Sequence, residues 1–160
     1  MSRLVFDIEG DDLLFHMTQI HCLVTQDADT KEISKYPPDR LGEGIASLRG
    51  AECLIGHNII GYDLPAIWKI FGNWDHFPLI VDTLVISRHL FPERYGGHGL
   101  AAWGERLGYP KLDFDDYENY SEEMLTYCTR DVSLNLRVLQ ELEKEAEEVF
   151  TGFKVYSCLN

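Results

Sequence analysis

This chain has little that would hold metal through sulfur, cross a bilayer or wrap a nucleic-acid duplex. Its cysteines are few, Cys22, Cys53, Cys128 and Cys158, and no two form a CxxC pair. That excludes the usual structural zinc site, and the histidines show neither HExxH nor zinc-finger spacing. Unpaired cysteines at this density read as reduced thiols of a cytosolic protein, three of them in or near the core. No apolar run approaches the ~20 residues that span a hydrocarbon layer. Met1-Ser2-Arg3-Leu4 leads straight into a strand-like run without a signal-peptide layout. Basic residues are also scarce: 14 Lys and Arg stand against 27 Asp and Glu, for a net charge of −13. Broad sequence-independent duplex binding needs a cationic surface and is excluded. A small site gripping one strand end is not. Much of the negative charge falls in residues 141–148, which read as a solvated helix face.

What is present is a globular composition, 45% hydrophobic and 26% charged, over a length of 160 residues that corresponds to one domain. Such a chain buries about 70% of its unfolded surface. Leu4-Val5-Phe6-Asp7-Ile8-Glu9 predicts a strand with Asp7 and Glu9 on one face and Phe6 and Ile8 on the other. Residues 14–25 predict a second strand, Asp27-Ala28-Asp29 a turn, and residues 32–36 a third strand. Pro37-Pro38-Asp39 breaks the pattern, with Asp39 as the cap of a helix to about Arg49. A strand over 52–56 follows, then a helix from Tyr62-Asp63 with Pro65 in its first turn and Gly72 beyond its end. Residues 79–81 read as a strand, Asp82 as the cap of a helix over 83–90, and 100–107 as a helix stopped by Gly108. The last helix starts at Ser121 and carries a stripe of Leu125, Cys128, Val132, Leu136, Leu139 and Leu142. Three strands followed by alternating helices and strands define an α/β fold with a mixed sheet. Trp68, Trp74 and Trp103 read as core or loop anchors, and Gly42-Glu43-Gly44 lacks the strand that a dinucleotide motif needs.

Carboxylates planted in apolar segments cost desolvation free energy unless something pairs them. Asp7 and Glu9 lie about 6.6 Å apart along one strand face, a spacing suited to shared ligation of a hard cation. A polar face on an edge strand is the plainer alternative. Asp63 closes the run His57-Asn58-Ile59-Ile60-Gly61-Tyr62-Asp63 and sits in a first helical turn, where the helix dipole also favours an acid. Tyr127 and Asp131 share a helix face at i, i+4. The alternative for Asp131 is a boundary ion pair with Arg130 or Arg137.

Taken in order, Phe6-Asp7-Ile8-Glu9, His57 to Asp63, Val81-Asp82-Thr83-Leu84, His98 to Gly108 and Tyr127 to Asp131 resemble the motifs of the DEDD, or DnaQ-like, exonuclease superfamily in its tyrosine-containing branch. In particular, about residues 3–145 resemble the 3′–5′ proofreading domain of family A DNA polymerases of the phage T7 type. The resemblance implies a ribonuclease-H-like α/β fold, a mixed β-sheet flanked by α-helices. It implies two divalent metal ions, Mg²⁺ or Mn²⁺. Asp7, Glu9 and Asp131 would ligate the first, Asp7 would bridge to the second, and Asp63 would hold the second largely through water. Tyr127 would orient the attacking water. Leu13 falls where an apolar side chain wedges against the terminal base, with core packing as the alternative. His57 and Asn58 would contact substrate or brace the Asp63 loop, and Asp82 matches a motif but reads as a helix cap. No polymerase portion follows, so residues 1–160 are expected to form a single exonuclease domain. Gly10-Asp11-Asp12 makes an unusually acidic approach to a strand end. Thr126 and Tyr127 stand where the histidine branch has its histidine.

The implied function is metal-dependent removal of nucleotides from the 3′ end of single-stranded or frayed DNA, in phage replication and proofreading. The implied partners are a single-stranded 3′ end and a separate DNA polymerase polypeptide, in the host cytoplasm. One alternative is an RNA exonuclease of the ribonuclease-D kind, which would read the 2′-hydroxyl. The other is a polymerase accessory module without catalysis. Its signature would be a lost carboxylate, and all four are present.

Overall fold

The computed structural model describes residues 2–76 and 78–149. They are organised by one five-stranded sheet. Strand β1 (Arg3–Gly10) pairs antiparallel with β2 (Ile20–Asp27), which pairs antiparallel with β3 (Ile33–Tyr36). On its other side β1 pairs parallel with β4 (Cys53–Gly56), and β4 parallel with β5 (Leu79–Asp82), giving the order β3-β2-β1-β4-β5. The parallel half is connected through α1 (Leu41–Gly50) and α2 (Asp63–Phe71). Helices α3 (Thr83–Leu90), α4 (Leu100–Arg106) and α5 (Glu122–Val149) follow. The mixed sheet and its flanking helices are as the sequence predicts.

The period-two alternation of β1 divides the core. Leu4, Phe6 and Ile8 face α1 and α2, packing with Ile45, Leu48, Leu64 and Ile67. Val5 faces the other way, and with Cys22 and Val24 it packs under Leu125, Cys128, Val132, Leu136 and Leu139 of α5. Each such fully buried side chain stabilises the fold by about 1.5–3 kcal/mol. Asp7 and Glu9 share the face of Val5 and therefore lie beneath α5. A smaller cluster of Trp103, Leu134, Val138 and Leu142 docks α4 on α5. Trp103 is a core anchor: its indole N–H donates to Ser87 at 3.2 Å, and Arg94 and Arg106 lie 4.4 and 4.5 Å from its ring.

Several boundaries differ from expectation. Strand β2 starts at Ile20, not near residue 14, because the Asp11 carboxylate accepts the backbone N–H groups of Thr18 (2.9 Å) and Gln19 (3.2 Å) and folds residues 11–19 into a loop. Asp39 is not a helix cap. It lies in a 3₁₀ turn, Pro38–Arg40, that the fixed φ of Pro38 suits, and α1 then begins at Leu41. The α5 cap is Ser121, whose hydroxyl accepts the Met124 N–H at 3.1 Å. The acidic run at the end of α5 is not all solvated: Glu145 accepts from Arg94 at 2.7 Å and Glu143 from Arg3 at 3.2 Å. Gly44 has a packing reason. A Cβ there would meet Leu23 and Tyr36 at 2.8 Å, so the glycine lets α1 approach the sheet.

Candidate active site

The acids converge because three elements meet at one place: the end of β1, the start of α2 and the body of α5. Asp7 and Glu9 come from β1, and the pairing register with β2 shifts between Glu9 and Gly10, a bulge that re-aims the strand end. Ladder pairing of β1 with β4 is confined to Arg3, Leu4 and Val5. Further along β1, the N–H of Ile8 donates instead to Oδ1 of Asp63 at 3.2 Å, which pins the first turn of α2 between Asp7 and Glu9. Helix α5 closes the site. The Cys128 thiol donates to the Asp7 carbonyl (3.4 Å) and lies 3.6 Å from its Oδ2, so Tyr127 and Asp131 of the same helix flank Asp7.

Glu9, Asp63 and Asp131 are 9%, 3% and 4% exposed, and Asp7 is half-buried. Burial pushes the Asp7 carboxyl well above its usual range, reinforced by Glu9, Asp63 and Asp131. Burial, then Asp131, raises Glu9 to about 8. Burial raises Asp63 to about 7. Asp131 is raised by burial too, against the pull of Lys111. Four desolvated acids that repel one another call for positive charge. Lys111 supplies one: its Nζ lies 2.6 Å from Asp131 Oδ2. Burial pulls its ammonium down, but Asp131, Asp7 and Glu9 outweigh it and hold Lys111 above its ordinary value. The other oxygen of Asp131, Oδ1, is buried and has no hydrogen-bond partner among the described residues. Ligand atoms of Asp7, Glu9 and Cys128 lie within 4.8 Å of one another. This oxygen-rich, charge-deficient donor set fits a divalent cation.

Tyr127 is buried against Phe114, ring centroids 5.4 Å apart, and meets Tyr117 edge-on at 6.4 Å. Burial keeps its phenol protonated, well above the usual tyrosine range. Leu13 is 74% exposed, which removes the core-packing alternative. It lines a cavity of about 450 Å³ with Glu9, Gly10, Asp11, Asp12, Tyr62 and Tyr117. His57 takes the bracing position: its Nδ1 and Thr83 Oγ1 share a hydrogen bond of 2.9 Å, and burial lowers its pKa to about 4, so it is neutral. Asn58 is exposed in the left-handed region at φ 67°. Its N–H and that of Ile60 donate to the two oxygens of Asp82, at 2.9 and 3.1 Å. Asp82 also caps α3 through Leu84 and Val85.

Sequence reasoning missed Lys111 and Tyr117. Both lie between α4 and α5, in residues 107–121 that form neither helix nor strand, so no periodicity marks them. The partner of Asp131 is this lysine rather than Arg130 or Arg137, whose guanidinium groups lie over Tyr109 at 3.2 and 4.1 Å.

No protein-family model matches the chain. Among solved structures, its fold is shared with Brucella melitensis NrnC with bound Mg²⁺, at TM-score 0.68 and 17% identity, covering 93% of this chain and 75% of NrnC. NrnC bound to pGG gives TM-score 0.69 at 18% identity, covering 93% and 75%. Escherichia coli RNase D, an exoribonuclease, gives TM-score 0.67 at 20% identity, covering 92% of this chain and 40% of RNase D. The fold is therefore that of the ribonuclease-H-like exonucleases. In sequence the chain is 29% identical to the DNA-directed DNA polymerase of Escherichia phage T7, over 87% of this chain and 26% of the polymerase. It spans about a quarter of that relative's length. The chain thus has the fold of the DnaQ-like 3′–5′ exonuclease domains and is similar in sequence to part of a phage DNA polymerase.

Proposed function

We propose that the chain removes nucleotides one at a time from the 3′ end of single-stranded or frayed DNA, as the proofreading activity of a phage-type replication system. The observation that carries this reading is the convergence of Asp7, Glu9, Asp63 and Asp131 with Tyr127 around the end of β1, in a chain similar to a phage DNA polymerase. Asp7, Glu9 and Asp131 would hold one divalent ion, and Asp7 with Asp63 a second, as Mg²⁺ or Mn²⁺. Bound ions of this kind stabilise charge on the phosphate and lower the pKa of a coordinated water. The chain's own groups do the rest. Tyr127, protonated, donates its O–H and orients the attacking water rather than accepting its proton. Leu13 rests against the terminal base at the cavity mouth. His57, through Thr83, and Asp82, through the Asn58 backbone, hold the loop that delivers Asp63. Lys111 offsets the acids that the ions leave uncompensated.

A polymerase on the same or another polypeptide would present the frayed end, in the cytoplasm of the host cell. No helix among the described residues is long and apolar enough to cross a membrane. A second reading, RNA as substrate, is favoured by the shared fold of RNase D. Time-resolved digestion of 5′-labelled single-stranded DNA, with and without Mg²⁺, beside RNA of the same sequence, separates the two. A Mg²⁺-dependent ladder shrinking from the 3′ end of the DNA is the expected result. A ladder on RNA alone moves the chain to the second reading, and no ladder on either removes both.

A further inference from the structure

The loop between β1 and β2 exposes side chains that an ordinary loop would hide. Leu13 is 74% and Phe15 86% exposed, while Met17 and Ile20 of the same segment are 1% and 5% exposed. The exposure is not slack. Besides Thr18 and Gln19 on Asp11, the Tyr62 hydroxyl donates to the Asp12 carbonyl at 3.1 Å. The Lys69 ammonium donates to the carbonyls of both Leu14 and Phe15, at 3.0 Å each. The Met17 N–H closes the turn on the Leu13 carbonyl at 2.9 Å. The Phe15 ring stands edge-to-face with His16, centroids 5.1 Å apart. A tightly tied loop thus holds two apolar side chains in water.

Their order along the loop matters. Leu13 lines the cavity that Glu9 also lines, whereas Phe15, two residues further on, stands outside that lining. Phe15 is thus the next exposed apolar side chain along the loop beyond the cavity that would take a 3′ nucleotide. Phosphate contacts are poorly supplied there. Asp11 and Asp12 lie at the mouth, Lys69 is committed to two carbonyls, and the chain carries a net charge of −13. Uncharged contacts suit the strand upstream of its terminal nucleotide, and stacking of a base on an aromatic ring is the strong, sequence-tolerant one.

We propose that Phe15 forms a stacking subsite for the base next to the 3′-terminal one, an inference that rests on the exonuclease reading. The test is a cycle between residue and base. KM and kcat for the first cleavage are measured on a short single-stranded DNA and on the same DNA abasic at the penultimate position, with wild type, Phe15→Ala and Phe15→Trp. For wild type, loss of the base raises KM about 5- to 100-fold at constant kcat. Phe15→Ala raises KM on intact DNA by a similar factor and no longer responds to the missing base, and Phe15→Trp retains the wild-type response. The melting temperature of Phe15→Ala matches wild type, since the side chain is exposed. Equal KM increases on both DNAs, or none, overturn the proposal. Wild-type cleavage indifferent to the penultimate base overturns it while leaving the exonuclease reading intact, and absence of wild-type cleavage overturns both.

Discussion

The ammonium of Lys111 lies 2.6 Å from Oδ2 of Asp131 and 4.8 Å from the centre of the Tyr127 ring. One cation from an irregular segment thereby touches both α5 residues of the site. Removing it leaves Asp131, 5% exposed at its side chain, as an uncompensated buried charge. Lys111 itself is 25% exposed, so the loss falls short of a fully buried pair. Lys111→Met is expected to destabilise the metal-free protein by about 1–3 kcal/mol in urea melts with chelator at neutral pH. Mg²⁺ is expected to recover most of the loss. A deficit that Mg²⁺ leaves unchanged would mean that the lysine acts through packing alone.

The acids also set a pH dependence. Glu9 and Asp63 titrate at about 8 and about 7 in the fold, raised from 4.5 and 3.8, with burial the leading cause. A raised acid stabilises the fold fully below its unfolded pKa, and that stability is lost as pH climbs through the folded pKa. His57, lowered by burial from 6.5 to about 4, runs the other way and loses its contribution as pH falls below 6.5. Above about pH 6.5 the acids act alone. Thermal melts in chelator should therefore show stability falling from about pH 6.5 to about pH 8.5. The rise in melting temperature on adding Mg²⁺ should be larger at the upper end, because the ion binds the deprotonated acids. A flat profile in chelator would show that the carboxylates are already compensated.

Asp7 lies between Glu9, Asp63 and Asp131 in the field of all three. Asp7→Asn keeps the shape and removes a desolvated charge. Cleavage should drop about a thousandfold or more, since an amide brings no charge to hold a divalent cation. Stability in chelator should equal or exceed that of wild type, because repulsion is relieved. Loss of activity accompanied by loss of fold would assign Asp7 a structural role instead.

Much of this was legible from local pattern. The alternation in β1 separates Phe6 and Ile8 from Asp7 and Glu9, and the α5 stripe from Leu125 to Leu142 is buried as read. Helix α3 carries both its cap and its length in Asp82 and residues 83–90. What failed did so where apolarity and burial part company. Leu14 and Phe15 read as the start of a strand because they are apolar, yet Asp11 ties the segment into a loop and leaves Phe15, like the neighbouring Leu13, exposed. Lys111 carries no local pattern at all. Its partner Asp131 is 20 residues away, and only the tertiary fold brings the two together.

Asp82 joins two jobs that sequence motifs treat apart. Its Oδ1 accepts from the N–H groups of Asn58 (2.9 Å), Leu84 (3.0 Å) and Val85 (3.4 Å), and its Oδ2 accepts from Ile60 (3.1 Å). The first α3 turn and the loop that carries Asp63 thus share one carboxylate. Asp82→Ala removes a helix cap and two buried charge-assisted bonds, and should cost about 3 kcal/mol in chemical denaturation. Asp82→Asn keeps one oxygen for the cap but turns an amide donor toward the Ile60 or the Asn58 N–H, and should fall between the two. Because the loop is freed while Asp7, Glu9 and Asp131 stay in place, the Mg²⁺ concentration for half-maximal cleavage should rise in both variants at a temperature where each is folded. If stability falls while that midpoint holds, Asp63 is positioned by its bond to Ile8 alone, and Asp82 serves the fold rather than the site.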